Sequence, residues 1–278
     1  MKALKVVSIQ RGCVYDGPGV RTVVFLKGCI FSCPWCCNPE TISYKDEYYV
    51  DFRRCLTRKG ISSILCNGCV ETGGEKGIEQ CPFGISEPVS KSMYESEILA
   101  ELLKDQSLFQ GTGGGVTFSG GEPLLYSHKL FHILESLFDE GVSVYFETTL
   151  SISSDIWLPI LPYIDGFIVD LKLQPQTKLY DDSYIKNISK NLSLLINKDV
   201  VYRMVFVNEV CELNGYIIEC LHNIGIGEIE LLPCHNLGSS KYEKLGLTNR
   251  AFYAGEKELE KFSKILNANN IKTHILRL

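Results

Sequence analysis

The sequence has no run of apolar residues that approaches the roughly 18 needed for a membrane-spanning helix. Its first residues, MKALKVVSIQRG, include no apolar stretch of signal-peptide length. Positive charge is not in excess either, because 28 Lys and Arg residues stand against 33 Asp and Glu and give a net charge of −5. Binding to nucleic acid needs a basic surface. These absences predict a cytoplasmic protein that binds neither a membrane nor nucleic acid.

A dinucleotide-binding motif is absent as well, since no strand-like segment leads through GxGxxG into a helix. Six short segments rich in β-branched and aromatic residues are predicted strands: 21–28, 115–121, 142–149, 166–173, 200–207 and 229–234. Segments with apolar residues at helical spacing, such as 93–109 and 249–266, accompany them. The alternation predicts an α/β fold with a parallel sheet. Six units are too few for a complete eight-stranded barrel, so we predict an incomplete (β/α)6 TIM-type barrel.

Cysteine, in contrast, is abundant: of the 12 cysteines, most lie between Cys13 and Cys81. A secreted disulfide scaffold would be shorter and would carry a signal peptide, so clustered cysteines in a reducing compartment favour metal ligands. Residues 41–88 are polar and Cys-rich and interrupt the strand–helix pattern. We predict that they form an insertion held together by metal, because they can bury little core. Residues 1–40 and 89–278 then form the partial barrel.

The densest cysteine cluster is CIFSCPWCCNPE, residues 29–40, which directly follows the first predicted strand. Cys29, Cys33 and Cys36 have the spacing Cx3Cx2C, and three thiolates from one loop can hold three corners of a four-iron cluster. The fourth iron then stays open for a substrate or cofactor. Zinc would need a fourth ligand in a closed site. Cys37 could supply that ligand, although neighbouring side chains rarely reach one tetrahedral site together.

This motif, with an aromatic residue before its third cysteine, resembles the signature of radical S-adenosylmethionine enzymes. Three stretches resemble one branch of them, the glycyl radical enzyme activating enzymes of the pyruvate formate-lyase activating type. They are YDGPGVRTVVFLKGCIFSCPWCCNPE (15–40), GGVTFSGGEPLL (114–125) and LLPCHNLGSSKYEKLG (231–246). Two positions depart from the branch: Cys37 stands where it usually has His, and Leu150 stands where it usually has Gly.

The resemblance implies a reaction. Cys29, Cys33 and Cys36 would ligate a 4Fe-4S cluster whose open iron chelates the amino and carboxylate groups of S-adenosylmethionine. One electron, from a flavodoxin- or ferredoxin-type donor, would cleave the sulfonium and leave a 5′-deoxyadenosyl radical. That radical would remove a hydrogen atom from a glycine Cα of a partner glycyl radical enzyme. Cluster and cofactor carry this chemistry, and the protein positions and tunes them.

The resemblance also implies contacts with S-adenosylmethionine. The methionyl ammonium would be held by Gly120, Gly121 and Glu122. The ribose hydroxyls, the methionyl carboxylate and the adenosyl group would be contacted by Trp35, Asp170, Lys172, Arg203 and His235. A monovalent cation would lie beside the cofactor at Glu147, Thr148 and Asp170.

Each of these groups has an ordinary structural alternative. The glycines of SGGEP are also compatible with a plain strand-to-helix turn. The charges of Asp170, Lys172 and Arg203 are also compatible with a buried ion pair. His235 could be an exposed loop residue, and Trp35 could simply pack in the core.

Four cysteines of the insertion remain: Cys55, Cys66, Cys69 and Cys81. Cys66 and Cys69 are spaced CxxC, and Cys81 precedes Pro82 as the last cysteine of ferredoxin-like runs does. We predict one auxiliary 4Fe-4S cluster here, with a structural zinc as the alternative. Cys13 and Cys37 are then predicted to be free thiols.

Two other functions stay open. A stand-alone radical S-adenosylmethionine enzyme would act directly on a small molecule or peptide, and the departures at Cys37 and Leu150 favour it. An iron–sulfur electron carrier would use the cysteines but would have no use for GGEP or DLK. The sequence therefore predicts an activating enzyme first and leaves the identity of its partner open.

Overall fold

Eleven strands are present in a computed structural model of the chain, which describes residues 3–61, 63–66, 81–173, 182–209, 214–248 and 252–277. They are β1 Leu4–Cys13, β2 Arg21–Leu26, β3 Tyr48–Val50, β4 Ser86–Pro88, β5 Lys91–Met93, β6 Gly115–Gly120, β7 Ser143–Thr148, β8 Gly166–Asp170, β9 Asp199–Phe206, β10 Glu228–Pro233 and β11 Lys272–Ile275. In this part of the chain nine of them form one sheet in the order β11-β10-β9-β8-β7-β6-β2-β1-β5. The run from β2 to β11 is parallel, whereas β1 and β5 pair antiparallel at one edge. The structure is therefore an α/β fold with a mostly parallel sheet.

All six predicted strands are confirmed, as β2, β6, β7, β8, β9 and β10. They lie side by side in chain order, so each is a parallel neighbour of the next. Their middles are buried and apolar: Phe118, Phe146 and Phe167 have no exposed surface, and their rings pack in sequence across the sheet. Strands covered on both faces give the continuous apolar runs from which they were predicted.

The helices lie between these strands. They are α1 Glu95–Leu102, α2 Gln106–Thr112, α3 Ser127–Asp139, α4 Ser154–Trp157, α5 Asp182–Leu192, α6 Asn214–Asn223, α7 Ser239–Lys244 and α8 Glu256–Ala268. None of the described helices is long and apolar enough to cross a membrane.

Both predicted helices have different bounds in the structure. The segment 93–109 is divided by a 3-10 turn at Leu103–Asp105, where the Asp105 carboxylate accepts hydrogen bonds from Arg11 and Thr22 and so ties the turn to β1 and β2. The segment 249–266 becomes helical only at Glu256, because the chain before it pairs with Asn208 instead. In both cases tertiary hydrogen bonds override the helical spacing of apolar residues.

The remaining two strands lie within residues 41–88. Strands β3 and β4 pair antiparallel and form a sheet of their own. Next to them Val50, Cys55 and Ile85 form an apolar cluster distinct from the main core. Cys81 packs against this cluster.

Candidate functional site

One cavity lies at the carboxyl ends of the parallel strands, where α/β barrels carry their chemistry. Most of the predicted site residues line it: Cys29, Cys33, Trp35, Cys36, Gly120, Gly121, Glu147, Thr148, Asp170, Lys172 and His235. Segments separated by about 200 positions in the chain thus meet at one place. Glu122 and Arg203 do not line this cavity.

The three cysteines of the Cx3Cx2C motif sit in a loop that follows β2. The loop is anchored at its start by a hydrogen bond from Cys29 N to Ile42 O of 2.9 Å, and it turns at Cys36 N to Cys33 O, 3.1 Å. Burial raises the pKa of all three thiols, that of Cys29 to about 12. A bound metal ion would favour loss of these protons, because thiolates and not thiols are metal ligands.

These cysteines do not converge on one point. Among the described residues, no three His, Cys, Asp or Glu side chains are placed so that they could hold a metal ion together. A four-iron cluster does not require such convergence, because each thiolate binds a different iron.

Asp170 and Lys172 form a partly buried ion pair on the cavity wall. The Lys172 ammonium donates to Asp170 Oδ2, and the backbone N–H of Lys172 donates to the hydroxyl of Tyr184 at 2.8 Å. Burial alone lowers the pKa of Lys172, but the Asp170 carboxylate raises it well above its ordinary value. The ammonium therefore stays charged beside the three cysteines.

Three buried polar atoms of this cavity have no hydrogen-bond partner in the described part of the chain. They are Trp35 Nε1, Asp170 Oδ1 and His235 Nδ1. Buried polar groups in folded proteins are nearly always paired, so each such atom indicates a partner other than the described residues. A donor, a carboxylate oxygen and an imidazole nitrogen suit a polar ligand of nucleoside size.

Glu122 lies behind the cavity wall, fully buried. Its carboxylate accepts hydrogen bonds from Thr148 Oγ1 at 2.6 Å, from Thr149 Oγ1 at 2.7 Å and N at 3.0 Å, and from Leu124 N at 3.2 Å. Burial raises the pKa of Glu122, and these hydrogen bonds act against that rise. The side chain thus joins the end of β6 to the end of β7.

Arg203 does not line the cavity, and its guanidinium binds other groups of the protein. Its guanidinium donates to Glu230 at 2.9 and 3.0 Å, to the Tyr15 carbonyl at 2.8 Å and to Glu147 at 3.4 Å. Burial and the carboxylate of Glu147 raise the pKa of nearby Asp16 to about 6. Sequence reasoning assigned no role to Asp16, although it lies in the quoted DGPG stretch.

Leu150 retains the backbone geometry that a glycine would have. Its φ is +53°, in the left-handed region that glycine adopts without strain. Its N–H donates to Thr148 Oγ1 at 2.9 Å, its carbonyl accepts from Asn191 Nδ2 at 2.8 Å, and its side chain is fully buried. Leu150 therefore adopts a backbone conformation that glycine adopts more readily.

The chain matches known proteins over most of its length. A family model described as "4Fe-4S single cluster domain" matches residues 15–195. The chain is 32% identical over 251 residues to the pyruvate formate-lyase 2-activating enzyme of Escherichia coli (strain K12), an alignment covering 88% of this chain and 82% of that protein. It belongs to the glycyl radical enzyme activating enzymes.

Two further relatives have similar identities. The 4-hydroxyphenylacetate decarboxylase activating enzyme of Clostridioides difficile (strain CD196) is 29% identical over an alignment of 303 residues, covering 97% of this chain and 95% of that protein. The (2S)-3-sulfopropanediol dehydratase activating enzyme of Klebsiella oxytoca is 30% identical over 277 residues, covering 87% of this chain and 85% of that protein. This activating enzyme is therefore a radical S-adenosylmethionine enzyme with a 4Fe-4S cluster.

The cavity of the activating enzyme fits both groups. Cys29, Cys33 and Cys36 line it, and so do Trp35, Asp170 and His235, whose buried polar atoms have no partner among the described residues. S-adenosylmethionine offers hydroxyls and ring nitrogens to such atoms. Gly121 allows the close backbone approach at this point, because a Cβ there would lie 2.0 Å from the Gly28 carbonyl oxygen.

Cys55, Cys66 and Cys81 do not line this cavity. Cys55 is buried in the small apolar cluster, Cys81 packs against it, and Cys66 Sγ lies 3.0 Å from Thr57 Oγ1. Cys69 lies outside the described residues.

Proposed function

We propose that this activating enzyme installs a glycyl radical on a partner enzyme by removing a hydrogen atom from a glycine Cα. When bound, the cluster and S-adenosylmethionine supply the 5′-deoxyadenosyl radical through one-electron reductive cleavage. The observation that carries the proposal is one cavity lined by Cys29, Cys33 and Cys36 and by three residues whose buried polar atoms have no partner among the described residues. The chain's own residues bind the two groups, keep water out and present the cavity to the partner's glycine.

The roles of the cavity residues follow from their positions. Cys29, Cys33 and Cys36 would hold the cluster. Asp170 Oδ1 has no partner in the described chain and would accept a hydrogen bond from a ribose hydroxyl, while the charged Lys172 would face the methionyl carboxylate. Trp35 and His235 would contact the adenosyl group.

Direct contacts from Glu122 and Arg203 stay predictions. Glu122 already accepts four hydrogen bonds, and its carboxylate has no exposed surface. Its contribution to the methionyl ammonium would then come through the backbone of Gly120 and Gly121, which it holds in place. Arg203 would need to leave Glu230 to reach a cofactor carboxylate.

The cation site also stays a prediction. Thr148 donates its hydroxyl proton to Glu122, and the carboxylate of Glu147 accepts from Ser119 and Arg203. Asp170 keeps one carboxylate oxygen without a partner in the described residues.

We further propose that the open sheet curves into the incomplete (β/α)6 barrel. The ends of six flat strands about 4.8 Å apart would spread over about 24 Å. One cavity is nevertheless lined by residues at or just after the end of all six strands: Cys29, Gly120, Thr148, Asp170, Val205 and Leu232. Curvature of the sheet around the cavity accounts for this.

For residues 41–88 we propose a separate unit with an auxiliary 4Fe-4S cluster on Cys55, Cys66, Cys69 and Cys81. The β3–β4 pair closes the base of this unit, and its apolar cluster is separate from the main core. That cluster is small, so a metal centre would supply the stability that burial does not. A structural zinc is the alternative that the same ligands allow.

The partner belongs to the glycyl radical enzymes, but its identity is open. The relatives with about 30% identity are named after a formate-lyase, a decarboxylase and a dehydratase. A flavodoxin- or ferredoxin-type protein would deliver the electron.

An anaerobic activation assay tests the function. Reconstituted enzyme, a reductant, S-adenosylmethionine and a candidate partner should give 5′-deoxyadenosine together with a glycyl radical detected by electron paramagnetic resonance. A partner whose radical-bearing glycine is replaced by alanine is the control and should show no glycyl signal. Turnover of a small molecule or peptide without any protein radical would favour the stand-alone enzyme instead.

Replacing Cys37 is expected to leave the iron content unchanged. Its side chain lines the cavity, but a fourth thiolate on the open iron would block chelation of S-adenosylmethionine. Cys37→Ser and Cys37→His should keep the full iron count and most of the cleavage activity, with a modest shift of reduction potential. Iron analysis measures the iron count, and potentiometry measures the reduction potential. Loss of iron in both variants would show that Cys37 is a ligand.

A further inference from the structure

Helix α7 lies directly against the cluster-binding loop, about 200 positions away in the chain. A Cβ on Gly238, at its start, would lie 2.6 Å from the carbonyl oxygen of Cys37. The glycine therefore lets the helix approach the loop backbone closely. The helix is short, so these contacts and not its own hydrogen bonds define where it sits.

Two side chains of α7 bind the loop at successive positions. Lys241 Nζ donates to Asn38 Oδ1 at 2.7 Å and to Glu40 Oε1 at 2.6 Å. Tyr242 donates its hydroxyl proton to the carbonyl of Cys36 at 2.9 Å. The loop is thus held at the third predicted cluster ligand and at the residues just after it.

The Lys241–Glu40 pair is mostly inaccessible to water. The Glu40 side chain is only 5% exposed, compared with 32% for Lys241. Loss of Lys241 would leave the buried Glu40 carboxylate without its cation. The Glu40 carbonyl is held from the other side by the buried ammonium of Lys27 at 2.7 Å.

We propose that Lys241 and Tyr242 are positioning residues for the S-adenosylmethionine-binding cluster, holding residues 36–40 so that Cys36 points into the cavity. The geometry of this inference comes from the hydrogen bonds of α7. Its effect on the cluster rests on the proposed function. A hydrogen bond at the Cys36 carbonyl orients the peptide that follows the ligand. Hydrogen bonding and solvent exposure around ligands set the reduction potentials of iron–sulfur clusters.

The other side of α7 faces the insertion. Glu243 pairs with Arg53 at 3.5 Å, and the Lys244 ammonium lies 5.7 Å from the ring centre of Tyr49. Lys244 is exposed and does not touch the cluster loop, so it offers a matched control on the same helix.

The variants are Lys241→Met, which removes the charge, Tyr242→Phe, which removes only the hydroxyl, Lys241→Arg as the conservative replacement and Lys244→Met as the control. Hydrogen–deuterium exchange of the full chain without cluster is the first measurement. Peptides from residues 29–41 should exchange at least about tenfold faster in Lys241→Met, less so in Tyr242→Phe, and at the parent rate in Lys244→Met. Lys241→Arg should restore most of the protection.

The second measurement is the reduction potential and paramagnetic resonance spectrum of the reconstituted enzyme. Both should shift in Lys241→Met and Tyr242→Phe and stay at parent values in Lys244→Met. Parent exchange rates in both variants would overturn the inference, and so would faster exchange with an unchanged potential, because α7 would then only stabilise the loop. A parent enzyme that binds no cluster would instead refute the proposed function. The exchange data would still test whether Lys241 and Tyr242 hold the loop.

Discussion

Replacing Cys33 with alanine should lower reductive cleavage of S-adenosylmethionine below detection. Cys33 is buried at the centre of the Cx3Cx2C loop and lines the cavity. A cluster left with two thiolates is unstable and has no single open iron for the cofactor. The loss should therefore exceed the roughly 10–100-fold typical of removing an outer-shell partner of a metal site. Production of 5′-deoxyadenosine by the anaerobically reconstituted variant measures it.

Cys13→Ala is the matched control for this variant. Cys13 ends β1, is partly exposed and lies outside the cavity lining. Its replacement should leave iron content and cleavage at parent values. If Cys33→Ala forms 5′-deoxyadenosine as fast as the Cys13→Ala control, then Cys33 does not hold the cluster.

Replacing Cys66 and Cys69 together should halve the iron content. The parent should bind about eight irons in two four-iron clusters, and the double variant about four. The first cluster lies in a separate cavity, so S-adenosylmethionine cleavage should persist. Iron and zinc analysis of the purified, reconstituted proteins gives the result directly.

A Cys13→Ala, Cys220→Ala double variant controls for the number of thiols removed and should keep about eight irons. Four irons and one zinc in the parent would contradict the auxiliary cluster and support a structural zinc. Eight irons retained after loss of Cys66 and Cys69 would show that other residues hold the second cluster.

The central strands were predictable because their signal is local. Each of the six reads as a short apolar run, and most residues of β2, β6, β7 and β8 are buried. The edge strands β5 and β11 and the neighbouring β1 were not predicted, since they are partly exposed and carry polar residues such as Arg11, Lys91 and His274. Helix ends were misplaced where tertiary hydrogen bonds at Asp105 and Asn208 decided them.

The candidate site also has a part that local sequence predicts and a part that it does not. The spacing of Cys29, Cys33 and Cys36 is a property of one loop, so a pattern of eight residues was enough to select them. Glu122 was also selected, but whether its carboxylate faces the cavity or the strand behind it depends on Thr148 and Thr149. Those residues come from another strand, and the pattern around Glu122 contains nothing about them.

By itself the sequence determined the class of chemistry, the α/β alternation and the cysteines that could hold iron, because each is encoded in short-range spacing and residue type. Only the tertiary structure decided that Leu150 keeps a glycine-like backbone and that Arg203 is paired with Glu230. It also decided that α7 reaches Cys36, Asn38 and Glu40 across about 200 residues. The physical reason is that such contacts depend on how the strands pair and on where each chain segment leaves the sheet. Local propensity does not decide which way these side chains point, and burial in the folded chain does.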